Sequence, residues 1–146
     1  MWLVDLTPSQ AFDVLRHLED YPLWWPEVRE VRRLSDDTVE ARCRSLLPYD
    51  LLFTMRSARE VRHDGILEVI MQGDLDGLSR WTITSNGSGS RLLFEEKVAT
   101  HKKLLNRLAP IARGAFKLNH TLMMRHGEAG LRAYAAGFRR AHDLRT

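Results

Sequence analysis

Glu96 and His120 are the residues whose surroundings raise a chemical question. Glu96 belongs to an alternating run with Leu92, Phe94 and Val98, so strand parity puts its carboxylate on an apolar face. His120 lies between Phe116 and Met123 at helical spacing, on the apolar side of a long C-terminal helix. A carboxylate in apolar surroundings must reach water, find a donor or cation, or take up a proton. His120 is an available partner if the helix passes over the sheet. Together the two could orient a ligand hydroxyl or serve as acid and base. Apart, Glu96 lies at a cavity mouth and His120 is a satisfied core histidine.

Other reactive types lack the spacing their chemistry needs. Six histidines and one cysteine give no metal-ligand pattern, and His120 and His126 fall on different faces of the helix. Ser88 and Ser90 sit in a glycine-rich turn without the strand-to-helix context of a phosphate loop. Cys43 shares parity with Val39 and Ala41, which marks a small buried hydrophobe rather than a nucleophile. No cofactor is expected.

The elements that position these residues read as follows. Trp2 to Leu6 is strand-like. Thr7 and Pro8 carry helix-start chemistry, and Ala11, Val14, Leu15 and Leu18 continue at helical spacing to about Glu19. Tyr21-Pro22-Leu23-Trp24-Trp25-Pro26 reads as a short helical turn packed by its aromatics, since each proline turns the preceding residue away from helix. Strand-like runs follow at 28–34, 38–46, 51–62, 66–75, 79–85 and 91–100, separated by turn residues that include Asp74-Leu75-Asp76-Gly77 and Asn86-Gly87-Ser88-Gly89. Short turns make neighbours antiparallel. A last helix from Pro110 to about Arg140 would be ~45 Å long and cross the whole domain. Its apolar stripe runs through Phe116, His120, Met123, Gly127, Gly130, Leu131, Tyr134 and Phe138. The expected class is α+β, with seven antiparallel strands in a curved sheet around one long helix, and two short helices near the N-terminus.

Composition is that of one ordinary globular domain spanning 1–146. No apolar run approaches the ~18 residues of a membrane span, and the first residues lack the pattern of a signal peptide. With a single cysteine, a cytoplasmic location is expected. Charge is uneven: residues 1–100 carry 12 basic and 17 acidic side chains, the remainder 10 basic and 2 acidic. Lys117, Arg125, Arg132 and Arg139 form a ridge on the outer side of the long helix, beside Leu118 and Leu122. Such a ridge is either a solvated face or a weak contact for anionic membrane or an acidic protein. The modest overall charge argues against nucleic acid.

The element order and four stretches carry a resemblance: Trp2-x-Val4-Asp5-x-x-Pro8, Tyr21-Pro22-x-Trp24-Trp25-Pro26-x-Val28, Leu47-Pro48-Tyr49 and Gly73-Asp74-Leu75-x-Gly77-x-x-Arg80-Trp81. The sequence resembles the START-like (SRPBCC, birch-pollen-allergen-like) superfamily. Within it, the sequence is similar to bacterial members of the polyketide cyclase/dehydrase and lipid-transport family. The resemblance implies a helix-grip fold and a cavity for a hydrophobic small molecule (polyketide, lipid or isoprenoid-like) between helix and sheet. It does not imply one reaction, because activities in the family differ widely.

Parity and the helix line place Phe53, Met55, Val69, Met71, Trp81, Ile83, Phe94, Glu96, Phe116, His120, Met123 and Gly127 around that cavity. Trp24 and Trp25 read as core plugs, one of which could line it. Gly127 and Gly130 on the inner helix line fit two explanations, missing volume for a ligand or close helix packing. Three functions follow as expectations: a binding or carrier domain, an aromatase/cyclase-type enzyme, and an interaction module using the basic helix face.

Overall fold

The computed structural model describes residues 1–44, 49–100 and 109–144. Seven strands, β1 (Trp2–Val4), β2 (Val28–Arg33), β3 (Thr38–Cys43), β4 (Leu51–Val61), β5 (Ile66–Gly73), β6 (Leu75–Asn86) and β7 (Gly89–Thr100), form one antiparallel sheet. Their spatial order is β1-β7-β6-β5-β4-β3-β2, so the first two strands of the chain occupy opposite edges. The segment joining them must cross from one edge to the other. It does so as α1 (Pro8–Arg16) and a 3-10 helix (Leu18–Leu23), with α1 packed against β5, β6 and β7. The long helix α2 (Ala109–Asp143) completes the helix-grip arrangement and packs against β1 and the Trp24-Trp25 segment.

Local chemistry explains most boundaries. Thr7 and Gln10 form a reciprocal capping box: the Gln10 amide donates to Thr7 Oγ1 at 3.2 Å, and the Thr7 amide to Gln10 Oε1 at 3.0 Å. The helix ends at Arg16, three residues earlier than its apolar spacing suggests. There the Tyr21 hydroxyl donates to the freed Leu15 carbonyl at 2.7 Å, and the chain tightens into the 3-10 helix that contains Pro22. The expected turn at 74–77 is also shorter than its residue types suggest, because β6 already begins at Leu75. Asp74 and Asp76 spend their carboxylates on the Leu52 and Gly73 amides, which holds a tight reversal. Gly77 sits at φ 152 with its α-carbon so near β7 that a β-carbon would stand 1.9 Å from the Lys97 carbonyl oxygen. Similarly, β7 extends back to Gly89, leaving Gly87 (φ 63) and Ser88 as a two-residue hairpin turn. Leu46, Leu47 and Pro48 lie outside the described residues.

The inner face follows the expected alternation: Val39, Ala41 and Cys43 on β3, Phe53 and Met55 on β4, and Leu67 and Met71 on β5 are all buried. An aromatic cluster closes one end. The rings of Trp2 and Trp81 meet at 4.9 Å between centroids, Trp24 and Trp25 stack at 5.5 Å, and Trp81 and Phe94 lie 4.7 Å apart. The expected stripe of α2 holds at Gly127 and Leu131 and departs from its line toward the C-terminal end. Leu131 and Ala135 are fully buried, whereas Phe138 is exposed. The helix sits close against Trp2, Trp24 and Trp25, a contact that a single-helix pattern does not encode.

Candidate functional site

Between the inner face and α2 lies a cavity of about 140 Å³. The sheet supplies its floor through Phe53 and Met55, Val69 and Met71, and Trp81 and Phe94. Met123 and Met124 form the roof, and Leu15, Leu18, Tyr21 and Trp25 the side toward the N-terminal helices. Ala41 and Cys43 line the β3 wall, where their small side chains leave the volume that larger residues would fill. Methionines at floor and roof can change rotamer to suit a guest.

Most of the residues picked out by parity come together here, with three exceptions. Ile83 is buried in the core, one strand step beyond Trp81 in a row with Leu92 and Trp2, and does not line the cavity. Gly127 faces the tryptophans instead: a β-carbon on it would lie 2.8 Å from both the Trp2 and Trp25 rings. At Gly130 a β-carbon would stand 1.6 Å from the Trp24 carbonyl oxygen. Both glycines thus serve close packing of the helix, not ligand volume. The side chain of Phe116 lies outside the described residues.

Glu96 and His120 do meet, at 3.4 Å between Oε2 and Nε2. The Glu96 side chain is 19% exposed and His120 57%, so the pair stands at the rim with the carboxylate inward. Burial raises the Glu96 carboxyl above the usual carboxylate range, and the neighbouring imidazole pulls it part of the way back. Burial also pushes the Cys43 thiol up to about 12, reinforced by the fields of Glu96, Glu27 and Asp50, which makes it a wall atom and not a nucleophile. At the α1 end, Arg16 pairs with Glu60 at 2.9 Å, and the Ser57 hydroxyl donates to the same carboxylate at 3.2 Å. No group of three or more metal-ligating side chains occurs among the described residues.

A second histidine–carboxylate pair holds the roof in place. His126 Nδ1 lies 2.5 Å from Glu27 Oε1, with the Glu27 side chain 9% exposed. The Trp25 indole donates to the Met123 carbonyl at 3.0 Å. No sequence signal marks Glu27, which follows Pro26 just outside the strand whose parity would have placed it. The basic ridge is partly spent on the fold: Arg132 donates to the Leu3 carbonyl and pairs with Glu128, and Arg139 lies 3.6 Å from Asp5. Leu118 beside it is 59% exposed. No helix among the described residues is long and apolar enough to cross a membrane.

Comparison with solved structures shows the same fold at low identity. The Zhui aromatase/cyclase from Streptomyces sp. R1128 superposes with a TM-score of 0.72 at 10% identity, covering 92% of this chain and 89% of that one. A protein from Thermus thermophilus gives 0.70 at 11% identity, covering 91% and 94%. A START superfamily protein from Mycobacterium smegmatis gives 0.60 at 15% identity, covering 93% and 94%. Comparison with curated proteins gives no match. Residues 4–121 match the family described as polyketide cyclase / dehydrase and lipid transport. That match takes in both N-terminal helices, the whole sheet from Val4 onward and the helix as far as Thr121, so this chain belongs to the polyketide cyclase/dehydrase and lipid-transport family.

Proposed function

We propose that this protein binds a hydrophobic small molecule between α2 and the sheet. The observation that carries the reading is the cavity itself, about 140 Å³ with walls that are almost entirely apolar. An apolar cavity of similar size, about 150 Å³, stays dry and takes up benzene. One ring or a short acyl segment fits without rearrangement, and a larger polyketide, lipid or isoprenoid guest requires the methionines or α2 to shift. Native mass spectrometry of protein purified gently from its host tests the reading. A mass in excess of the chain, absent from a Val69→Trp variant that fills the floor, is expected. An apo spectrum, together with failure of an environment-sensitive apolar dye to bind, would refute it.

The Glu96–His120 pair favours a second reading, an enzyme of the aromatase/cyclase type. A carboxyl held above its usual range beside an imidazole can take and return a proton at the rim of a site that aligns a reactive chain. The superposed aromatase/cyclase is similar in fold alone, so it lends this reading an analogy and not a shared site. On a poly-β-ketone thioester, His120→Ala should abolish turnover while leaving binding intact. Loss of binding and rate in parallel would return His120 to ligand orientation.

A further inference from the structure

Strand register draws a polar row across the apolar floor. Glu96 on β7 faces Ser79 on β6, Ser79 faces Val69 on β5, and Val69 faces Ser57 on β4. All four line the cavity. On one side it is flanked by Phe94, Trp81 and Leu67, a row that ends on β4 at Glu60, and on the other by Gly77, Met71 and Met55.

The polar members differ in what remains free. Ser57 already donates to Glu60. Glu96 faces His120 with one oxygen. Ser79 is 8% exposed, opens on the cavity, and has no hydrogen-bond partner among the described residues. Its hydroxyl is not among the fully enclosed unpaired side-chain atoms, so it keeps a face on the cavity that a ligand oxygen can reach.

We propose that Ser79 and Glu96 form a two-point reader for a pair of oxygen functions on one edge of the guest. This inference rests on the ligand-binding reading above and names the chemistry that the cavity selects. Directly opposed residues on antiparallel strands hold their β-carbons about 4.5–5.5 Å apart. The two side chains therefore reach the guest from neighbouring positions on one side, which two meta-related oxygens on a six-membered ring can meet together, whereas para oxygens point to opposite ends. When ionised, Glu96 only accepts, and its ligand oxygen must then be a hydroxyl. Ser79 both donates and accepts, so the other can be hydroxyl or carbonyl. Trp81 and Phe94 in the adjacent row, 4.7 Å apart at their centroids, supply the apolar wall for the ring itself.

Calorimetric titration with phenol, catechol, resorcinol and hydroquinone separates this inference from the reading beneath it. Resorcinol should bind wild-type protein about 3- to 10-fold more tightly than phenol, the value of one added hydrogen bond. In Ser79→Ala, resorcinol should fall to the affinity of phenol while phenol itself is unchanged. Glu96→Gln should weaken both, and circular dichroism melts of each variant check that the fold persists. Equal binding of the three diols, or a resorcinol preference that survives Ser79→Ala, would overturn the two-point reader and leave apolar binding standing. Absence of binding by all four rings to the wild type would overturn both.

Discussion

Gly130 offers a test of how α2 is seated, because alanine there is expected to harm a helix that it would ordinarily help. A β-carbon at Gly130 would stand 1.6 Å from the Trp24 carbonyl oxygen and 2.8 Å from its carbon. Those are backbone atoms, fixed because the Trp24 and Trp25 amides donate to the Tyr21 carbonyl at 3.1 and 2.7 Å. Restoring an ordinary carbon–oxygen contact of about 3.3 Å therefore requires α2 to retreat by roughly 1.7 Å. Retreat would loosen Leu131 and Ala135 in the core and strain the Trp25–Met123 and Glu27–His126 bonds. Forced overpacking costs about 1–3 kcal/mol, and more when the obstacle cannot swing aside. Alanine's helix advantage returns about 1 kcal/mol. Gly130→Ala should lose about 2 kcal/mol net, a fall in Tm of about 4–8 °C for a chain of this size. Gly137, on the same helix, is exposed, and an added methyl would meet nothing within 4 Å, so Gly137→Ala should gain about 1 kcal/mol. Thermal and urea unfolding followed by circular dichroism reads both. A Gly130→Ala variant as stable as Gly137→Ala would refute the close approach of α2 to Trp24.

Three further outcomes follow from the site. The Glu96 carboxyl is raised by burial, so the native state holds that proton more tightly than the unfolded chain does, and stability should fall as pH rises from the unfolded carboxylate range through the raised value. Glu96→Gln should flatten that part of the profile in urea titrations between about pH 4 and 7; an unchanged slope would mean that the carboxylate is solvated. His126→Ala leaves the Glu27 carboxylate buried without its partner, and breaking a wholly buried pair costs about 3–5 kcal/mol. Because His126 is half-exposed and water can enter, about 1–2 kcal/mol is expected by urea unfolding, and no loss would show that water alone satisfies Glu27. Cys43 should react with a disulfide reagent at pH 8 at least about 100-fold more slowly in native protein than in urea, since burial holds its thiol near 12. Fast labelling of the native state would show that the cavity wall opens readily.

Much of the architecture is legible along the chain because faces are encoded locally. The alternation of Leu67, Val69 and Met71, or of Phe94 and Glu96, states which side chains share a face before any partner strand is known. The Thr7–Gln10 cap and the length of α2 are likewise local matters, set by hydrogen-bonding groups within a few residues. Parity on β7 together with the stripe on α2 brought Glu96 and His120 to one side, and the fold joins them.

What only the tertiary structure decided is which faces meet, and at what offset. Ile83 has the same parity as Trp81, yet it lies in the core because the cavity ends one step earlier on the strand. Gly127 and Gly130 are silent about their purpose until the tryptophan segment is set against them at contact distance. Glu27 and His126 are 99 positions apart, and nothing near either residue announces the other. The row of Glu96, Ser79 and Ser57 exists only through three strand registers taken together. Periodicity fixes a direction for each side chain relative to its own backbone, whereas distance between elements is set by packing across the whole core, to which every strand and every helix contributes at once.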